Sequence, residues 1–149
     1  MKRPIKDILF VGIQAFLFVL YFFSPLGKVS LGVAIMYIGL VLSITGLCII
    51  VLAILQLNKN LTPFPTPKEG GALIKSGLYK YVRHPIYSGI ILLTIGFGIY
   101  SGSIWRLIIA LALWILFYYK SMYEEGLLMK HFDEYDEYRK RTGRFFPKP

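Results

Sequence analysis

Between Leu31 and Leu57 the chain carries no Asp, Glu, Lys or Arg, and almost every side chain there is aliphatic, aromatic or small. A run this long and this uniform has no polar face to offer water and belongs to lipid. Residues 8–23, 86–100 and 104–119 form three more apolar stretches. A spanning helix needs about 20 residues, range about 17 to 25, so the second stretch is comfortably long and the other three sit near the short limit. The expected fold class is an all-α integral membrane protein with about four transmembrane helices, followed by a C-terminal amphipathic helix at the interface.

The distribution of charge supports this division. Of eight acids only Asp7 and Glu69 precede Glu124, while 56% of the 149 residues are hydrophobic. Lys2, Arg3 and Lys6 precede the first span, five cations lie between residues 58 and 85, and seven follow residue 118, leaving Lys28 and Arg106 for the two short turns. The positive-inside rule then puts both termini and the central loop in the cytoplasm. The formal charge of +9 is accounted for by that bias and by attraction to the headgroups of membrane lipids, so nucleic-acid binding is not expected. The basic start followed by an apolar run resembles a signal peptide, but Ser24-Pro25-Leu26-Gly27 makes a poor cleavage site, and a retained helix is expected. Cys48 is the single cysteine, and His84 and His131 are the only histidines. The expected role of Cys48 is packing within the second span, and no protein-held metal is expected. Oligomeric state is not legible.

The chain divides into two N-terminal spans (1–57), a cytoplasmic loop (58–85), a helical hairpin (86–119) and a C-terminal helix and tail (120–149), forming one membrane domain. Gly32, Gly39 and Gly46 recur every seven residues, a stripe that lets a neighbouring helix approach closely. In the loop, Pro63, Pro65 and Pro67 alternate and enforce an extended path. The apolar Phe64, Leu73, Ile74, Leu78, Tyr79 and Tyr81 imply that this loop folds back onto the membrane domain. After Lys120, Leu128, Phe132, Tyr135 and Tyr138 recur at three to four residues and predict a helix with one apolar face, lying on the interface.

Two groups of residues bear chemistry. Arg83, His84 and Pro85 stand at the mouth of the third span, where Pro85 suits a first helical turn. An arginine there can simply snorkel to headgroups, yet Tyr79, Tyr81 and Tyr87 flank it, and such a cluster suits an amphipathic ligand. Glu124 and Glu125 lie at the end of the fourth span, with Lys120 one turn earlier on the same face. On a solvated helix Lys120 and Glu124 would form an ordinary ion pair.

The blocks LTPFPTP, GALIKSGLYKYVRHPIYSG, EEGLLMKHF and DEYDEYRKRTGRFFP together resemble the isoprenylcysteine carboxyl methyltransferase family, to which the phosphatidylethanolamine N-methyltransferases are related. The likeness runs from Asn58 to Pro147. The resemblance implies S-adenosylmethionine as methyl donor, held in a cytoplasm-facing pocket of the last two spans and the C-terminal segment. It implies that Gly71, Ala72, Leu73, Ile74, Tyr79, His84, Pro85, Ile86, Tyr87 and Glu124 contact this cofactor. Lys120 stands where the eukaryotic members carry a substrate-binding arginine, and Phe132-Asp133-Glu134-Tyr135 lacks a glycine common in the family.

A carboxylate acceptor is already ionised at neutral pH and needs no base, whereas an amine acceptor must lose a proton, for which Glu125 or His84 is the candidate. Arg83 suits a carboxylate as well as Lys120 does. Catalytic roles are therefore expected for Arg83, Glu124 and Glu125, and substrate binding for Lys120 and Arg83. The acceptor is expected to be lipophilic and to enter from the bilayer: most simply an isoprenylcysteine-type carboxylate, alternatively a phospholipid headgroup amine. A non-catalytic four-helix interaction protein is the reading outside the enzymes.

Overall fold

The computed structural model describes residues 4–23, 25–67 and 70–148, with the side chain of Lys59 left aside. Lys2, Arg3, Ser24 and Glu69, used above for orientation, cleavage and charge, lie outside the described residues. Among the described residues five α-helices follow one another: α1 (Ile5–Phe22), α2 (Val33–Leu57), α3 (Pro85–Tyr100), α4 (Ile104–His131) and α5 (Tyr135–Arg141). Short 3-10 turns at Asn58–Asn60 and Gly77–Lys80 punctuate the central loop. In space α3 lies between α2 and α4, and α1 packs on α4.

Among the described residues three helices, α1, α2 and α4, are long and apolar enough to cross a membrane; α3 has only 16 residues. At 1.5 Å per residue it spans about 24 Å, short of a hydrocarbon layer of about 30 Å. Pro85 opens it and the Ser101-Gly102 turn closes it. It is shielded on two sides, by α2 and by α4. The outward faces of α1 and α2 expose Phe16, Phe22, Tyr37 and Leu55, an apolar surface that suits lipid and not water.

The glycine stripe is a packing device. A Cβ on Gly46 would sit 2.5 Å from Leu93 N and 2.6 Å from Gly89 O, and one on Gly39 would sit 2.7 Å from Gly96 O. Backbone therefore meets backbone along the α2–α3 seam, and Ser43 Oγ donates across it to Leu93 O at 3.3 Å. Gly32 takes no part; it precedes the helix and has open space around it. Cys48 corrects the expectation of internal packing, because its side chain is exposed. It follows Gly46 by two residues, about 200° around the helix, so it points away from the seam.

The C-terminal segment also departs from expectation. Instead of one interfacial helix, α4 runs unbroken to His131, the chain extends at Phe132 and α5 begins at Tyr135. That break turns Tyr135 and Tyr138 inward, both buried, and Tyr138 donates its hydroxyl to Tyr79 O at 2.5 Å. The apolar face thus closes over the protein's own loop rather than over lipid. Beyond α5 the tail runs beside the entrance to α3: Arg83 N donates to Gly143 O (2.9 Å), His84 N to Arg144 O (3.1 Å) and Gly143 N to Tyr81 O (3.1 Å). Ser88 Oγ adds a bond to Phe145 O at 2.7 Å. The Arg83-His84-Pro85 triplet at the helix mouth is therefore held by chain from the far end of the sequence.

Candidate functional site

Pro85 begins α3 at a position where its missing N–H costs nothing, and His84 just before it keeps a non-helical backbone (φ −125°, ψ 60°). The His84 ring stacks on Tyr87 at 5.3 Å between centroids and 4° between planes, and Tyr87 stacks on Phe117 of α4 at 4.6 Å and 6°. This column of three rings ties the start of α3 to the middle of α4. Offset stacking of this kind contributes about 0.5 to 1.5 kcal/mol per pair beyond burial.

Adjacent residues on a helix point about 100° apart, so Glu124 and Glu125 face different surroundings. Glu124 Oε2 accepts from the Tyr87 hydroxyl at 2.9 Å and lies 3.8 Å from His84 Nδ1. Glu125 turns toward the tail: its Oε1 accepts from Arg83 Nε (3.0 Å) and Arg144 Nε (3.1 Å) and meets His84 Nε2 (3.2 Å), while its Oε2 accepts from Arg144 Nη2 (3.2 Å). A carboxylate only accepts, so the imidazole presents Nε2–H to Glu125 and turns Nδ1 toward Glu124. The Glu125 side chain is 2% exposed. Arg83 Nη1 is occupied by the carbonyls of Arg139 and Thr142.

A cavity of about 360 Å³ opens beside the ring column, within the size range of small-molecule sites. Residues 71–74, Tyr79, residues 83–87, Lys120 and Glu124 all line it. Of the residues singled out for the site from the sequence, Glu125 lies behind the wall and Tyr81 is exposed outside the cavity. Lys120 does not pair with Glu124. Its ammonium donates to Gln14 Oε1 (2.6 Å) and Pro63 O (2.9 Å) and lies 5.4 Å from the centre of the Tyr87 ring. Lys120 is 1% exposed, and among the described residues no carboxylate oxygen is within ion-pair distance of its nitrogen.

Several lining residues escaped sequence reasoning. Gln14 of α1 supports Lys120, Ala72 N donates to Asn60 Oδ1 at 3.1 Å, and Leu128, Phe132, Tyr135 and Tyr138 close one side. Gln14 had a signal, being the one amide within the apolar run of α1, and polar groups inside membranes are expensive. Arg144 had none, since a single cation in a basic tail does not stand out. Burial pushes the Tyr138 phenol up to about 12. The Tyr79 phenol is raised further, by burial and then by the Glu124 charge, and Tyr135 by burial and then by the Glu125 charge. These phenols stay neutral and are not bases; Tyr79 donates to Ala53 O and Tyr138 to Tyr79 O.

The family model for phospholipid methyltransferase matches residues 34–135. A protein-S-isoprenylcysteine O-methyltransferase of Schizosaccharomyces pombe is 35% identical over 77 residues, 50% of this chain and 33% of the relative. The nickel-cobalt-cadmium resistance protein NccN of Alcaligenes xylosoxydans xylosoxydans is 35% identical over 82 residues, 54% of this chain and 38% of the relative. A probable protein-S-isoprenylcysteine O-methyltransferase of Oryza sativa subsp. indica is 30% identical over 115 residues, 74% of this chain and 60% of the relative. The chain thus spans a third to three fifths of the length of these relatives. The solved eukaryotic intramembrane Ras methyltransferase ICMT matches the fold with a TM-score of 0.69 at 23% identity, over 99% of this chain and 54% of that one.

Proposed function

The chain belongs to the phospholipid methyltransferase family, and on that premise we propose that it is an integral membrane methyltransferase. It takes S-adenosylmethionine as methyl donor and esterifies the carboxylate of a lipophilic, isoprenylcysteine-type acceptor. The observation that carries this reading is that Lys120 and Glu124, one helical turn apart, open on the same cavity without pairing to each other. Opposite charges left apart in a shared, poorly hydrated space serve two ligands of opposite charge.

Glu124 is the one carboxylate among the described lining residues. It receives a single hydrogen bond from Tyr87, so acceptor capacity remains for a cationic donor. Gly71, Ala72, Leu73, Ile74, Tyr79, His84, Pro85, Ile86 and Tyr87 form the rest of the donor's surroundings. When bound, S-adenosylmethionine supplies a methyl group already activated by its sulfonium. The chain's own residues then have to align the two partners and exclude water. Lys120 has three N–H donors and uses two on Gln14 and Pro63, leaving one for the acceptor carboxylate.

Arg83 and Glu125 act differently from the sequence-based expectation. With Nε and Nη1 of Arg83 taken by Glu125 and two carbonyls, its role is to position His84 and the tail rather than to grip the acceptor. Glu125, off the cavity and engaged by Arg83, Arg144 and His84, is badly placed as a base. That removes one of the two candidate bases for an amine acceptor; the other, His84, is held between Glu125 and Glu124. The cavity and both termini face the cytoplasm, following the positive-inside bias, so the donor arrives from water and the acceptor from the bilayer.

The test is incubation of the purified protein in lipid with methyl-labelled S-adenosylmethionine and membrane extract, followed by mild base. Volatile labelled methanol is expected, as released from a methyl ester. Base-stable label in lipid would overturn the carboxylate in favour of an amine. Absence of both transfer and S-adenosylmethionine binding would leave the non-catalytic reading.

A further inference from the structure

Behind Glu125, on the side away from the methyl-transfer cavity, lies a second concavity lined by Arg83, Arg139, Lys140, Arg144 and Lys148. Against these five cations stand Glu125 within it and Asp136 at its rim, the latter 2.7 Å from Lys140 Nζ. The charge excess is three. The donors are also underused. Arg83 spends Nε and Nη1, and Arg144 spends Nε and Nη2 on Glu125. The Arg139 guanidinium comes no nearer than 3.9 Å to Asp136, and Lys148 gives one bond, to Lys140 O at 3.0 Å. Arg83 Nη2, Arg144 Nη1, the Arg139 fork and two hydrogens of Lys148 therefore have no acceptor among the described residues. Arg83 is only 8% exposed, so part of this donor set is built into the protein and not displayed on a mobile surface chain.

The surroundings indicate what the anion is attached to. Arg144 lies 5.2 Å from the centre of the Tyr118 ring, and Tyr118 and Tyr119, both exposed, end the apolar part of α4. Phe146, two residues beyond Arg144, is 64% exposed. Aromatic side chains at the end of an apolar span sit at headgroup level, and arginine forks suit phosphate oxygens. We infer that this basic concavity binds the phosphate of an anionic phospholipid whose acyl chains lie along α4 beside Tyr118 and Phe146. The site is separate from the methyl-transfer cavity, and the assignment stands without the proposed reaction. The two nonetheless share Arg83.

The full chain in non-ionic detergent is titrated with short-chain phosphatidylglycerol, with phosphatidylcholine and with inorganic phosphate, and bound ligand is counted by native mass spectrometry. One phosphatidylglycerol is expected to bind at least about tenfold more tightly than phosphatidylcholine, with affinity falling as salt rises. The double variant Arg139→Gln, Lys148→Gln leaves every bond to Glu125 in place. It is expected to lose about thirtyfold in phosphatidylglycerol affinity, taking about 1 kcal/mol for each surface cation, with its melting temperature unchanged. Equal affinity for the two lipids, or undiminished binding by the double variant, overturns the site. Displacement of phosphatidylglycerol by inorganic phosphate at a similar concentration overturns the lipid and leaves a site for a soluble anion.

Discussion

Replacing Glu125 with glutamine keeps the shape of the side chain and removes its charge, which isolates what that charge does. In the native protein it faces Arg83, Arg144 and His84 at 3.0 to 3.2 Å, with side-chain exposures of 2% for Glu125 and 8% for Arg83. An amide oxygen still accepts from one partner, but the buried Arg83 guanidinium loses its counter-charge. Breaking a buried pair from one side costs about 3 to 5 kcal/mol, most of it the penalty of the stranded charge. For a chain of this size that corresponds to a fall in melting temperature of roughly 6 to 20 °C. Arg144→Gln is the control. Arg144 is 25% exposed and leaves Glu125 two other partners, so the expected loss is about 1 kcal/mol. Melting temperatures in one detergent, with S-adenosylmethionine affinity by calorimetry on the folded variants at low temperature, separate stability from binding. Glu125→Gln is expected to melt early and to bind the donor within a few-fold of the parent. If it melts with the parent and fails to bind, Glu125 touches the donor directly, and the division of labour between the adjacent glutamates is wrong.

The companion Glu124→Gln is expected to show the reverse pattern, with a near-native melting temperature and donor affinity down about ten- to a hundredfold, the value of a charge-assisted bond; calorimetry reads both arms. Lys120→Met is expected to raise the acceptor KM at unchanged donor affinity, and Gln14→Leu to do the same more weakly, since it removes the carbonyl that holds the ammonium; steady-state kinetics at saturating S-adenosylmethionine checks this. Gly46→Val is expected to cost about 3 kcal/mol or more by forcing the α2–α3 seam apart, where even a Cβ comes within 2.5 Å of Leu93 N; a melting temperature equal to the parent's would show that the helices do not meet there. Tyr138→Phe is expected to lose about 1 to 3 kcal/mol, leaving the buried Tyr79 carbonyl without its donor, again read as a melting shift.

Apolar runs of spanning length, the glycine spacing and the proline at the mouth of α3 are local signals, and each maps onto its element within a few residues. The third span was legible as an apolar stretch but not as a helix too short to cross by itself. The break at Phe132 was invisible because Leu128, Phe132, Tyr135 and Tyr138 keep a helical spacing through it. Periodicity records which side chains are to be buried. It does not record whether lipid or the protein's own loop buries them.

The order of residues along the chain settled that this is a membrane-embedded α protein, and gathered most candidate site residues into two blocks, because hydropathy and turn chemistry are properties of neighbours in sequence. Only the tertiary structure decided which glutamate faces the cavity, that Lys120 is held by Gln14 and Pro63 rather than by Glu124, and that Arg83 is bound to the tail. Those are long-range contacts, set by how α1, α4 and residues 142–146 converge on the start of α3. No spacing within a single segment encodes the direction from which a partner in another segment arrives.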